Sequence, residues 1–183
     1  MIILASASQR RVELLKDAGI DFKVIPSDIK EVFNSDLSPA ENVMNIARLK
    51  ALDIYNKNKG DVIIAADTAV VYKNEVYGKP VSREDAINML TTLSNNTHDV
   101  ITGVAIIDSS GEDVFYSKAS VTFKDLTEEE INNYVDTKEP FGKAGAYAIQ
   151  GLGKELVETY TGDFFTIVGL PLKEVLEKIA IYK

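Results

Sequence analysis

The 183-residue chain is long enough for one domain with its own hydrophobic core, and its 45% apolar and 26% charged residues are those of an ordinary globular protein. The absence of Cys excludes disulfides, thiolate metal sites and a thiol nucleophile. A net charge of −8 disfavours a general nucleic-acid or anionic-membrane surface, so any phosphate site must be local.

The elements follow in chain order. Met1 to Ala7 reads as a short apolar strand with no basic leader, and no run reaches membrane-spanning length, so a cytoplasmic location is expected. The strand proper is Ile2 to Ala5, followed by a polar turn, Ser6 to Gln9, and a helix, Arg10 to Ala18, with Val12, Leu15 and Ala18 inward and Gly19 as its stop. Phe22 to Ile25 reads as a second strand. Ser38, Pro39 and Glu41 supply an N-cap, a first-turn proline and a capping-box partner for a helix to about Tyr55. Val62 to Ala66 is a buried strand ending at Asp67 and Thr68, with a hairpin around Lys73-Asn74. Ser82 and Asp85 open a helix to Leu93. Val100 to Ile107 and Val114 to Phe123 read as an antiparallel pair joined at Ser109-Ser110-Gly111, and Thr127 to Glu130 cap a helix to Asp136. Pro140 to Gly153 is glycine-rich and a candidate binding loop. Leu156-Val157 and Phe164 to Val168 are expected strands, and Leu172 to Ile179 a closing helix. This alternation predicts an α/β protein, a single domain over 1–183 with two lobes and no separable linker.

Three groups carry chemistry. Ser6-Ala7-Ser8-Gln9-Arg10-Arg11 places hydroxyls, free N–H groups and two guanidinium forks at a helix start, a phosphate site or simply an N-cap with two solvated arginines. Asp67, at a strand end, suits a metal ligand or water activator, or is a turn or helix-cap aspartate. Lys79, between Gly78 and Pro80, is a phosphate clamp or a solvated turn lysine; the segment is not a P-loop. Glu31 lies in an irregular acidic stretch. His98, the sole histidine, cannot build a histidine zinc site and is expected to hydrogen-bond at a strand start. Together these residues are consistent with metal-assisted attack on a phosphate ester and name no substrate.

Their order, however, resembles the Maf family of nucleotide pyrophosphatases. The matching segments include Leu4 to Arg11, Ala47 to Ala51, Ala66-Asp67-Thr68, Gly78-Lys79-Pro80 and Thr102 to Ala105. They continue through Lys138-Glu139-Pro140, Lys143 to Gly151, and Gly162 to Phe165 with Gly169-Leu170-Pro171, which covers essentially the whole chain. The resemblance implies a Maf/inosine-triphosphatase-like α/β fold, a long twisted mixed sheet flanked by helices with two lobes around a cleft. It implies Mg²⁺ or Mn²⁺, with Asp67 and Glu31 as metal ligands and Asp67 as general base. Arg11, Lys50 and Lys79 would hold the triphosphate, and Ser6 and Ser8 would line its end.

Arg10, Thr68 and Gln150 match the subfamily acting on dTTP and UTP and would contact the base. Gln9 stands where the family usually has Pro, and Lys30 replaces an acidic neighbour of Glu31. The implied partner is a nucleoside triphosphate, with no nucleic acid or membrane and a homodimer as a family-based expectation. A nucleotide-binding regulator of septum formation with incidental turnover is the alternative, but a pure binder needs no water-activating carboxylate.

Overall fold

The computed structural model describes residues 1–182. Seven strands and six helices alternate as β1 (Ile2–Leu4), α1 (Gln9–Asp17), β2 (Lys23–Val24), α2 (Pro39–Lys57), β3 (Val62–Tyr72), β4 (Glu75–Tyr77), α3 (Arg83–Leu93), β5 (Thr97–Asp108), β6 (Gly111–Phe123), α4 (Glu128–Asp136), β7 (Val157–Thr161), α5 (Phe164–Val168) and α6 (Leu172–Ile179), with short 3-10 turns at Ala144–Ala146, Leu152–Leu156 and Ala180–Tyr182. The strands form one mixed sheet in the order β2-β1-β3-β5-β6-β7, and β4 pairs with β3. β1 is parallel to both neighbours, with Ile3 opposite Lys23 and Ile63. Antiparallel pairing joins β3 to β4, with Val70 opposite Tyr77, and β6 to β7, with Val121 opposite Tyr160.

Chain contacts divide the molecule into two compact units. The first comprises Met1–Thr68, Thr102–Ser117 and the chain from Gly169 on; the second comprises Ala69–Ile101 and Lys118–Val168. In the first, Ile3, Ile63, Ala65, Ala105 and Ile107 from the strands, with Ala5 just past the end of β1, pack on Ala47, Ala51 and Ile54 of α2. The capping box predicted for α2 is present, since Ser38 accepts from Glu41 N–H while the Glu41 carboxylate accepts from Ser38 N–H. In the second unit α4 carries the same device at Thr127 and Glu130. A buried aromatic cluster sits there too: His98 donates to or accepts from Tyr147 Oη at 2.7 Å, and its ring meets Phe123 edge-on.

Four expectations need correction. Phe164 to Val168 is a helix, because Asp163 accepts from the Phe165 and Thr166 N–H groups and caps it. β3 runs on through Asp67 and Thr68 to Tyr72, since the β-branched and aromatic residues beyond them pair with β4, so Asp67 lies inside a strand. β7 starts at Val157, with Leu156 still in the preceding turn. The inward face of α1 is Arg11, Leu14 and Leu15, with Val12 and Ala18 only half-buried.

Candidate active site

A charged cluster is built entirely within the first unit. It begins where β1 ends. Ala5 N–H still donates to the Ile64 carbonyl at 2.8 Å, and Ser6 then leaves the sheet with its Oγ accepting from Ser8 N–H at 3.1 Å. Ser8 is the N-cap of α1, its Oγ accepting from Arg11 N–H at 3.5 Å. The bland reading of this turn therefore holds for Ser8. It fails for Arg11, which is buried and donates through Nε to the Gly169 carbonyl (2.7 Å), through Nη1 to Ser6 Oγ (3.3 Å) and through Nη2 to Thr68 Oγ1 (2.9 Å). Burial lowers its pKa to about 10, opposed by attraction to Asp67, so it is a cation of fixed orientation at neutral pH. Arg10, half-buried beside it, adds a second positive charge.

Lys50 arrives from α2. Val43, Ala47, Ala51 and Ile54 form the buried stripe of that helix, and Lys50 shares the face. The helix lies close to β5 because position 103 is glycine: a Cβ there would stand 2.4 Å from the Val43 carbonyl carbon and 2.6 Å from Met44 N. Lys50 Nζ reaches Glu31 Oε1 at 2.6 Å and, over longer contacts of 3.4 Å, Asp67 Oδ1 and the Ala66 carbonyl. Glu31 comes from the irregular segment between β2 and α2. That segment is tied down by Ser27 Oγ donating to Asp53 (2.8 Å) and by buried Asn42, whose amide donates to the Asn34, Leu37 and Ser38 carbonyls.

Asp67 is buried, and its Oδ2 has no hydrogen-bond partner. Burial pushes its pKa above the usual carboxylate range, against the pull of Lys50 and Arg11. A buried, unpaired carboxylate oxygen is costly to the fold, and raised proton affinity is what a general base requires. The same oxygen suits a hard cation. Among the described residues no group of three or more His, Asp or Glu is set to hold a metal ion. Asp67 and Glu31, 40% exposed, offer two carboxylates across one ammonium, which matches Mg²⁺, an ion commonly held by one or two carboxylates plus water and substrate phosphates. The donor set fits.

Lys79 and Gln150 belong to the second unit. Lys79 is exposed in the turn after β4, where the Gly78 carbonyl accepts from Gly145 N–H at 3.2 Å. Gln150 is exposed on a turn closed by Gly151 N–H to the Ala148 carbonyl (3.2 Å). It lines a hollow of ≈ 560 Å³ with Lys154, Tyr160 and Phe164.

A model of the Maf family, described as Maf-like protein, matches residues 1–181. The chain belongs to the Maf family. It is 50% identical over 182 residues to the dTTP/UTP pyrophosphatase of Acholeplasma laidlawii, covering 98% of this chain and 95% of that one. It is 49% identical over 177 residues to the dTTP/UTP pyrophosphatase of Caldicellulosiruptor bescii, covering 93% and 89%. Among solved structures the Ham1 protein of Staphylococcus aureus has the same fold, with a TM-score of 0.50, 18% identity and coverage of 68% of this chain and 72% of that one.

Two Maf-family positions in the cluster escaped the sequence reading as site residues. Thr102 is fully buried and shares a 2.9 Å hydrogen bond with Thr68 Oγ1, and Gly169 supplies the carbonyl that holds Arg11 Nε. Both lie in segments that carry the family resemblance, which was the available signal. The Thr68 hydroxyl thus bonds Arg11 and Thr102, which makes it part of the frame around Arg11.

Proposed function

We propose that the protein is a nucleoside triphosphate pyrophosphatase that hydrolyses dTTP and UTP to the monophosphate and pyrophosphate. The observation that carries this reading is Asp67 with one buried, unpartnered oxygen, held beside the Lys50 ammonium. The dTTP/UTP pyrophosphatases named above, identical to this chain at half of the aligned positions, support the choice of substrate.

In this reading the Asp67 carboxylate takes the proton of a water as the water oxygen bonds to the α-phosphorus. The α–β phosphoanhydride bond breaks, and pyrophosphate leaves with its electron pair. Negative charge grows on the phosphate oxygens, and Arg11 and Lys50 are fixed cations that meet it without reorganisation. Glu31 holds Lys50 in the free protein. Bound by Asp67 and Glu31, Mg²⁺ or Mn²⁺ would supply neutralisation of the phosphate charge. Lys79 clamps the phosphates. Gln150 reads the base, because its amide offers both a donor for a uracil or thymine carbonyl and an acceptor for the ring N–H.

The test is a nucleotide panel with Mg²⁺ or Mn²⁺ in which pyrophosphate and phosphate are scored separately. The reading predicts pyrophosphate from UTP and dTTP well above that from GTP and ATP. Release of single phosphates, or an equal rate on all nucleotides, would reject it.

A further inference from the structure

An exposed side chain can select a base only if its backbone is fixed, and Gln150 stands at the tip of a turn in the second unit. Two side chains hold that turn from below. On its entering side, Ala148 N–H donates to Tyr134 Oη at 3.1 Å. On its leaving side, Leu152 N–H donates to Glu139 Oε2 at 3.0 Å and Gly153 N–H to Glu139 Oε1 at 2.9 Å. Tyr134 Oη in turn donates to Glu139 Oε1 at 2.8 Å, so the phenol and the carboxylate form one clamp around residues 148–153.

The glycines of the segment are shaped to this clamp. A Cβ at Gly151 would lie 2.4 Å from Glu139 Oε2, and one at Gly153 would lie 2.8 Å from Tyr134 Oη. Glycine at 151 is therefore what admits a carboxylate beneath the turn. The approach is prepared upstream as well. Lys138 takes a left-handed backbone (φ 65), and Thr137 Oγ1 accepts from Glu139 N–H at 3.2 Å, which turns the chain sharply after α4. Burial alone would raise the Glu139 pKa, but the bonds from Gly153, Tyr134 and Leu152 and the charge of Lys143 outweigh it and hold the carboxyl below its usual range. Both oxygens are acceptors at neutral pH, as three donors require.

We propose that Glu139, together with Tyr134, is a positioning residue for base selection: it fixes the 148–153 turn and so aims Gln150. The inference rests on Gln150 as the base reader. Two variants probe it. Glu139→Gln keeps one acceptor and turns an amide N–H toward another N–H, and Tyr134→Phe removes the hydroxyl while preserving the buried ring. The ratio of kcat/KM for UTP to that for GTP is measured for each, alone and combined with Gln150→Leu, alongside Tm.

Each single variant should lower the UTP/GTP ratio roughly fivefold, mainly through the KM for UTP, with kcat for GTP within about twofold of the parent. In the Gln150→Leu background neither should lower the ratio further. If Gln150→Leu lowers the ratio while Glu139→Gln and Tyr134→Phe leave it unchanged, positioning is overturned and base reading stands. If Gln150→Leu itself leaves the ratio unchanged, the premise falls and the proposal with it. Equal losses on both nucleotides, or a ratio that falls again in the double variants, would mark the clamp as plain structural support. Should Glu139→Gln not fold, Tyr134→Phe carries the same test.

Discussion

The charged cluster of the first unit and the clamped turn of the second are assembled in opposite ways. Arg11, Lys50, Asp67 and Thr102 come from α1, α2, β3 and β5, far apart in sequence, and each is held by packing or by side chains of other elements. The clamp uses residues of one stretch, 134–153, and works mainly by side chain to backbone bonds. The difference follows from what each region must resist. Like charges and a buried carboxylate repel or pay for desolvation, so they persist only on a rigid scaffold. In the clamped turn the one carboxylate, Glu139, has its desolvation offset by the backbone N–H groups of the turn itself, so a single stretch of chain is enough to hold it.

The comparison breaks most visibly at Asp67. Asp67→Asn should lower kcat on the order of 10²-fold or more while leaving Tm at or above the parent value, since a buried charge is removed. The pH profile sharpens the point. A carboxylate base with a raised pKa is protonated as pH falls, so kcat/KM should decline on the acid side from a pH above the ordinary carboxylate range. The variant should lose that limb. An unchanged rate or an unshifted limb would return Asp67 to a structural role.

Gly103→Ala tests the scaffold. The added methyl meets helix backbone, which cannot swing aside, so α2 must shift and carry Lys50 with it. A loss of about 1–3 kcal/mol in stability is expected, with a fall in activity beyond that of the unfolded fraction. Normal activity at reduced Tm would separate Lys50 placement from helix packing.

Lys79→Ala should weaken a non-hydrolysable UTP analogue and kcat/KM by roughly 10-fold, at unchanged Tm because the residue is exposed. Unchanged affinity would make Lys79 a solvated turn residue.

The smallest effect belongs to His98. Burial lowers its pKa to about 4 from 6.5, so the unfolded chain binds a proton that the folded one refuses. Stability from this source is whole above about pH 6.5 and declines as pH falls toward 4. His98→Gln should flatten the slope of Tm against pH in that window, and an unchanged slope would place the titration elsewhere.

Local signals were the legible part. Ser38 with Glu41, Thr127 with Glu130 and Ser82 before Asp85 act over three residues, and all three caps form. The Phe164 to Val168 run reads as a strand because four apolar residues around Thr166 show no period; Gly162-Asp163 ahead of it is the cap that decides for a helix. The burial of Arg11 was beyond local reading, as its partners Thr68 and Gly169 lie 57 and 158 residues away. Asp67, Lys50 and Glu31 entered through the family resemblance or as isolated candidates, and their meeting at one ammonium depends on the helix approach that Gly103 permits. The Glu139 clamp left no periodic trace, only the glycines that make room for it.

In the proposed reaction water, activated by Asp67, attacks the α-phosphorus of a pyrimidine triphosphate. Turnover of UTP in heavy-oxygen water, with the products separated and weighed by mass spectrometry, tests it most directly. UMP and pyrophosphate are expected in equal amounts, with the label in UMP alone, and neither product from Asp67→Asn at a comparable rate. Label in pyrophosphate, or UDP with labelled phosphate, would contradict it.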